Sequence, residues 1–165
     1  MKGLKLPDTI TEEELIKILN ATKKPHHKFA FALGFYEAMR ISEITNLKPE
    51  NIDKEVKIIH IIQSKGAKDR DIPIAPEIMK GLKNIPIKCG VRALQTKFKD
   101  MAKQILNKDL HFHSLRHSGI THYLVKKKWS SLAVQRLAGH SKIATTQIYS
   151  HIRPDDLVNM MWEDT

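Results

Sequence analysis

In the first third of the chain, apolar positions recur at helical spacing. Thr11 and Glu14 form a capping box ahead of Leu15, Ile18 and Leu19, which predicts a helix starting near Thr11 and closed by Pro25. From His26 to about Leu47, Phe29, Leu33, Tyr36, Ile41 and Ile44 read as one or two helices, interrupted near Ala38-Met39-Arg40 and ended by Pro49. The pattern then changes period. Residues 56–63, Val-Lys-Ile-Ile-His-Ile-Ile-Gln, are short and β-branched, Ser64 to Lys68 have turn chemistry, and Arg70-Asp71-Ile72-Pro73-Ile74 alternates, so a β-hairpin with a basic tip is expected. Helical spacing returns at Ala75–Leu82, Arg92–Ile105, Ser114–Lys127, Leu132–Ala138 and Ala144–Tyr149, with a last helix from Pro154.

Composition narrows the class. The chain has 165 residues, 41% hydrophobic, with 7 Gly and 7 Pro, enough to bury the core of one globular domain spanning 1–165 and too ordered in pattern for a fibrous or disordered protein. Cys89 is the only cysteine, which rules out an internal disulfide and a Cys-based zinc finger and fits a reducing compartment. No signal-peptide core follows Met1-Lys2-Gly3, and no window approaches the roughly 20 apolar residues of a membrane span. A soluble, cytoplasmic protein is expected, with no membrane partner.

Charge is unevenly placed. The net charge is +10, yet residues 1–60 carry only +1, residues 61–153 carry +13 (18 basic, 5 acidic), and residues 154–165 carry −4. Such a field suits a polyanion, of which nucleic acid is the commonest for a soluble basic domain. A lysine-rich solvated surface is the plainer explanation of the same numbers.

Three segments could carry chemistry. His111-Phe112-His113-Ser114-Leu115-Arg116-His117 is the densest polar cluster. Three residues apart on a helix, His113 and Arg116 share a face, where a guanidinium can hold two phosphate oxygens and an imidazole can exchange a proton with the same centre. His113 and His117, with His111, are also spaced for a metal, but the Glu that follows the first His in zinc-protease helices is missing. Alternatively Leu115 packs and the histidines are surface residues. Further on, His140 and Tyr149 lie nine apart, after a Gly139 that suits a tight helix end. A Tyr hydroxyl among cations can attack phosphorus and conserve the energy of the broken diester, or it can be an ordinary half-buried aromatic. Finally, Arg40 sits in an apolar surround with Glu43 three residues on, either as an internal ion pair or as a ligand-binding cation oriented by its acid.

Together these segments resemble the tyrosine recombinases, or phage-type integrases. Met39-Arg40-Ile41-Ser42-Glu43-Ile44 is similar to the family's first arginine motif, and Ser64-Lys65-Gly66-Ala67-Lys68-Asp69-Arg70-Asp71-Ile72-Pro73-Ile74 to its lysine hairpin. His113-Ser114-Leu115-Arg116-His117 resembles its His-x-x-Arg segment, and Leu137-Ala138-Gly139-His140 through Tyr149 its ending. The resemblance runs from about Leu6 to Tyr149. It implies a mainly α catalytic domain with a small antiparallel β-sheet (α+β). Arg40, Arg116 and His140 would hold the non-bridging oxygens of a scissile phosphate, and His113 would help deprotonate Tyr149. Lys65, preferred to Lys68 because it directly precedes Gly66, would protonate the departing 5′ oxygen, with Glu43 in support.

The implied activity is site-specific DNA recombination through a 3′-phosphotyrosyl intermediate, without metal, ATP or redox cofactor. The expected partners are double-stranded DNA, contacted by Lys68, Arg70 and Lys142, and further copies of the chain in a tetramer on DNA. The resemblance also leads one to expect an N-terminal DNA-clamping domain that is separate from or missing in this chain. The protein would be cytoplasmic and nucleoid-associated. The tail 154–165, with Leu157, Val158, Met161 and Trp162 on a broad face, is expected to expose apolar surface for protomer contact. Competing readings are a catalytically inactive DNA-binding remnant of the same fold, a helix-turn-helix regulator, a type IB topoisomerase-like enzyme and a phosphate-binding metalloenzyme.

Overall fold

The computed structural model describes residues 8–62, 69–139 and 153–163. Its helices are α1 (Glu12–Ala21), α2 (Pro25–Tyr36), α3 (Ile41–Asn46), α4 (Val91–Leu106), α5 (His113–Thr121), α6 (Ser131–Ala138) and α7 (Pro154–Trp162). Between α3 and α4 lie β1 (Ile52–Asp53), β2 (Ile58–Ile61) and β3 (Arg70–Pro73), an antiparallel sheet in the order β1-β2-β3. The fold is mainly helical with a small sheet, as the sequence implies. Among the described residues no helix is long and apolar enough to cross a membrane.

α2 is the centre of the molecule because it is apolar all round. Every residue from Phe29 to Tyr36 is buried. Its N-terminus has Pro25 at the first turn but no side-chain cap; a cap contributes about 1 kcal/mol, whereas each fully buried large side chain contributes roughly 1.5–3 kcal/mol. Burial therefore places this helix. Phe31 of α2 meets Phe98 of α4 and Phe112 just before α5, with ring centroids 5.3 and 6.0 Å away. On the other side Gly119 of α5 lies directly against the Phe35 carbonyl, where a Cβ would collide with backbone. These contacts seat the start of α5 beside the break between α2 and α3.

That break falls where the sequence suggests. Glu37 ends α2, and Ala38 takes a left-handed conformation at φ +50. The hairpin strands pair Ile59 with Ile72 and Ile61 with Arg70. The sheet has one strand more than expected, because Ile52–Asp53 is too short to show a period. Ala75–Leu82, read as a helix, is a 3-10 segment over Pro76–Asn84. The expected helix from Ser114 turns into a π-helical stretch at His122–Lys126. The hairpin tip 64–68 and the expected helix Ala144–Tyr149 lie outside the described residues.

α7 lies on its own chain. Leu157 is fully buried, Trp162 Nε1 donates to the Ile74 carbonyl at 2.9 Å, and Lys57 Nζ stands 3.9 Å over the Trp162 ring. The Tyr123 hydroxyl donates to the Tyr36 carbonyl at 2.6 Å and has Met161 Sδ at 3.2 Å. The apolar face of the tail is thus covered largely by β3 and the π-helical stretch.

Glu37 is a carboxyl inside this core. Its Oε1 accepts from the Ala75 N–H at 2.5 Å, while Oε2 has no hydrogen-bond partner among the described residues. Burial raises its pKa well above the ordinary 4.5, with the Ala75 bond opposing and Glu77 adding to the rise. The folded state therefore keeps a proton that the unfolded chain loses. Stability from this group is fully present below the ordinary carboxylate range and is lost as pH rises towards the folded value, by up to about 1.4 kcal/mol per pH unit. Urea unfolding at several pH values should show Glu37→Gln gaining on the wild type as pH rises from 5 to 8. A constant difference would mean that Glu37 is ionised in the fold.

Candidate functional site

Glu43 is the third residue of α3, and its carboxylate accepts the Arg40 backbone N–H at 2.8 Å, capping the helix. The sequence Ile41-Ser42-Glu43-Ile44 puts Ile44 into the core and draws Glu43 inward with it. The Glu43 side chain is only 3% exposed. A buried carboxylate needs cations, and among the described residues two reach it. Arg70, at the start of β3, grips it through Nη1 to Oε2 at 2.6 Å and Nη2 to Oε1 at 3.1 Å. Arg40 is farther off, with Nη1 3.6 Å from Oε2 and its side chain 38% exposed.

Both arginines also hold the end of α6. Arg70 Nε donates to the Leu137 carbonyl at 3.2 Å, and Arg40 Nη2 reaches the Gly139 carbonyl at 3.5 Å. Cations there also meet the negative end of the helix dipole. Gly139 is required twice over: its φ is +69, and a Cβ would stand 2.7 Å from Arg70 Nε.

Arg116 completes the group from α5. It is buried, and its Nη1 donates to the Ala38 carbonyl at 2.5 Å, so the left-handed residue between α2 and α3 presents the acceptor. Burial, then Arg40 and Arg70, lowers its pKa to about 10, with Glu43 working the other way. It stays cationic at neutral pH. Among the described residues, three guanidiniums and one carboxylate leave an excess of two positive charges, which is an arrangement that calls for an anion.

His113 stands one helical turn before Arg116. Partial burial, then His117, Arg116 and Arg40, holds its pKa below the ordinary 6.5, so the imidazole is neutral at pH 7 and can accept a proton. Its ring lies 4.6 Å from that of His117, edge to face. An open cleft of about 530 Å³ beside it is lined by Met39, Ile41, Gln95, Thr96, Lys99 and His113, among others. Gln95, Thr96 and Lys99 were not singled out in the sequence; only the packing of α4 beside α3 and residues 111–113 reveals them. Among the described residues no group of three His, Cys, Asp or Glu side chains is arranged to share an ion.

The structure therefore brings together Arg40, Glu43, Arg70, His113 and Arg116 from three separate segments: the start of α3, the start of β3 and α5. Lys65, Lys68, His140, Lys142 and Tyr149 lie outside the described residues. Arg70, expected as a DNA contact, is largely enclosed, with three of its N–H groups on Glu43 and Leu137. Its pairing with Glu43, 27 residues away, leaves no periodic trace in the sequence.

A family model described as the phage integrase family matches residues 8–156. The chain belongs to this family. Among the integrase-family relatives, a tyrosine recombinase of Thermosipho africanus is 32% identical over 90% of this chain and 58% of its own length. The tyrosine recombinase XerA of Thermococcus onnurineus is 32% identical over 92% of this chain and 61% of its own. The chain thus spans about three fifths of these relatives. The crystal structure of XerA recombinase superposes with a TM-score of 0.72 at 24% identity, covering 98% of this chain and 66% of that one. The integrase of mycobacterium phage Brujita gives 0.80 at 14% identity, covering 98% and 59%. The lambda integrase catalytic core, of which 92% is covered against 81% of this chain, gives 0.64 at 19% identity. These likenesses establish that this integrase-family chain has the fold of the lambda integrase catalytic core.

An excess of two charges should bind a tetrahedral oxyanion. Inorganic sulfate should raise the Tm more for the wild type than for Arg40→Ala at matched ionic strength, by the equivalent of about 0.8 kcal/mol at three times the Kd. Equal shifts, the general stabilisation of a folded state by sulfate excluded from its surface, would remove the anion site.

Proposed function

We propose that this chain breaks and rejoins DNA strands as a tyrosine recombinase, with Tyr149 as nucleophile. The observation that carries the reading is the cluster of Arg40, Arg70 and Arg116 around Glu43, with neutral His113 beside it. A phosphodiester carries one negative charge, and the pentacovalent state formed by tyrosinate attack carries two. The cationic excess matches the second better than the first, and such differential stabilisation is what accelerates a reaction.

In this mechanism the Tyr149 oxygen bonds to phosphorus as the bond to the 5′ oxygen breaks. His113 takes the Tyr149 proton, and Lys65 donates one to the departing 5′ oxygen. Arg40, Arg116 and His140 hold the two non-bridging oxygens. Attack by the 5′ hydroxyl of another strand then reverses the step. Fixed cations fill the role that divalent metals play in many phosphoryl transfers, so no metal, nucleotide or redox cofactor is required. Lys68 and Lys142 contribute phosphate contacts within the +13 stretch.

The same reading extends to assembly. Among proteins of this fold, lambda integrase is known as a dimer bound to a core site and as a tetramer bound to a Holliday junction. We extend this to the present chain as self-association on double-stranded DNA, with an additional clamping domain closing the duplex from the other side, in a nucleoid-associated protein.

Covalent trapping tests the chemistry. With nicked duplexes carrying candidate sites, in EDTA, the wild type should form a protein–DNA adduct that survives denaturation, and Tyr149→Phe should form none. Good binding with no wild-type adduct on any substrate, even with a supplied clamping domain, would favour an inactive DNA-binding remnant.

The acid limb of the pH profile tests the base. Because His113 is held below 6.5, adduct formation should be flat near pH 7 and fall about tenfold per unit only at lower pH. His113→Gln should lose that limb, and an unchanged limb in His113→Gln would assign the proton to another group.

A further inference from the structure

We propose that Arg70 is a positioning residue that keeps the anion-binding Arg40 available by neutralising Glu43 in its place. The inference rests on the recombinase reading for its kinetic consequence and on the geometry alone for its anion-binding consequence.

Two guanidiniums compete for one buried carboxylate. Arg70 engages both oxygens of Glu43, at 2.6 and 3.1 Å, while Arg40 approaches only Oε2, at 3.6 Å. A fork-to-fork pair is the strongest arrangement that these two groups can make. The Arg70 side chain is 11% exposed and that of Arg40 is 38% exposed, so the enclosed cation is the one that answers the enclosed anion. Arg40 is left at the open side of the pair.

The acid cannot simply be dispensed with. It caps α3 by accepting the Arg40 N–H at 2.8 Å and so fixes the backbone from which Arg40 projects. A carboxylate placed to orient Arg40 will, if unopposed, also neutralise it. Arg70 separates the two effects: the carboxylate keeps its place at the helix start, and its charge is answered from β3.

Arg70 is itself held. Its Nε donates to the Leu137 carbonyl at 3.2 Å, and Gly139 leaves room for the guanidinium where a Cβ would lie 2.7 Å from Nε. The residue thus joins the strand that follows the hairpin, the start of α3 and the end of α6. In the sequence these three places adjoin Lys65, Arg40 and His140.

Without Arg70, the Glu43 carboxylate would turn to the Arg40 guanidinium and reduce its hold on an anion. The signature is rescue: removing the carboxylate charge should restore part of what removing Arg70 takes away. Glu43→Gln suits this purpose because its amide oxygen can still accept the Arg40 N–H.

The test measures two quantities on wild type, Arg70→Met, Glu43→Gln and the double variant, with folding checked by circular dichroism. One is the sulfate concentration that gives half of the Tm rise. The other is the rate of adduct formation on a nicked duplex at saturating protein. Arg70→Met should weaken sulfate binding and slow adduct formation by about tenfold or more, short of the roughly 10²–10³ lost when a transition-state donor is removed outright. The double variant should recover severalfold on both measures.

A double variant no better than Arg70→Met overturns the proposal. So does an Arg70→Met variant that matches the wild type, or one whose DNA-binding salt slope falls by about one phosphate, which would make Arg70 a backbone contact instead. If Arg70→Met does not fold, the same comparison is made with Arg70→Lys, which keeps the charge but loses the fork. A wild type that binds sulfate and forms no adduct sinks the recombinase reading, while the sulfate order among the four proteins still decides the role of Arg70.

Discussion

Glu43 carries its charge where an isolated carboxylate could not stay ionised. Its side chain is almost fully enclosed, and the desolvation of such a group is several kcal/mol unless cations and hydrogen bonds replace the lost water. The replacement comes from a backbone N–H at the start of α3 and a forked guanidinium from β3. One anion thereby gathers pieces of chain that are far apart in sequence. The two arginines that meet it also take the carbonyls at the end of α6, so the helix leading to His140 is held by the same group.

This polar knot is possible because the rest of the structure is held by other means. α2 needs no capping and no ion pairs, since its whole circumference is apolar and buried. It presents two fixed features: the Phe35 carbonyl, against which Gly119 seats α5, and the left-handed Ala38, whose carbonyl receives Arg116. The position of Arg116 is therefore set by packing on both sides. A buried cation facing two others is unfavourable by itself, and it stays because core contacts of larger total magnitude fix the helix that carries it.

The sequence shows most of this fold and about half of the site. Capping at Thr11, the break near Ala38 and the hairpin are visible because each has a local cause: a short-range hydrogen bond, a lapse in helical period, or a change of period. The π-helical stretch at His122–Lys126 and the strand Ile52–Asp53 have no such cause, since one is set by packing and the other is too short for a period. At the site, Arg40, Glu43, His113 and Arg116 are legible from spacing within single helices. The pairing of Arg70 with Glu43 is not legible in the sequence, because a basic residue near a basic tip looks like a phosphate contact and only tertiary structure brings the carboxylate to it. Gln95, Thr96 and Lys99 are ordinary residues of an amphipathic helix until the start of α3 and residues 111–113 are laid beside them.

The basic charge of the chain then divides into two kinds that act at different ranges. The excess of +13 over residues 61–153 is carried mainly by lysines, whose field reaches a polyanion through water and is screened over about 8 Å at physiological ionic strength. Among the described residues the cluster around Glu43 has two uncompensated charges, and they sit among buried groups, where screening is weak and the separation is a few ångströms. The first kind can concentrate DNA at the surface without distinguishing a diester from its transition state. The second is too local to attract DNA from a distance, yet in the proposed reaction it would meet the added negative charge at the phosphorus undergoing attack. Under the proposed function, affinity and chemistry would rest on separate sets of cations, and the three arginines rather than the many lysines would need their positions fixed by the fold.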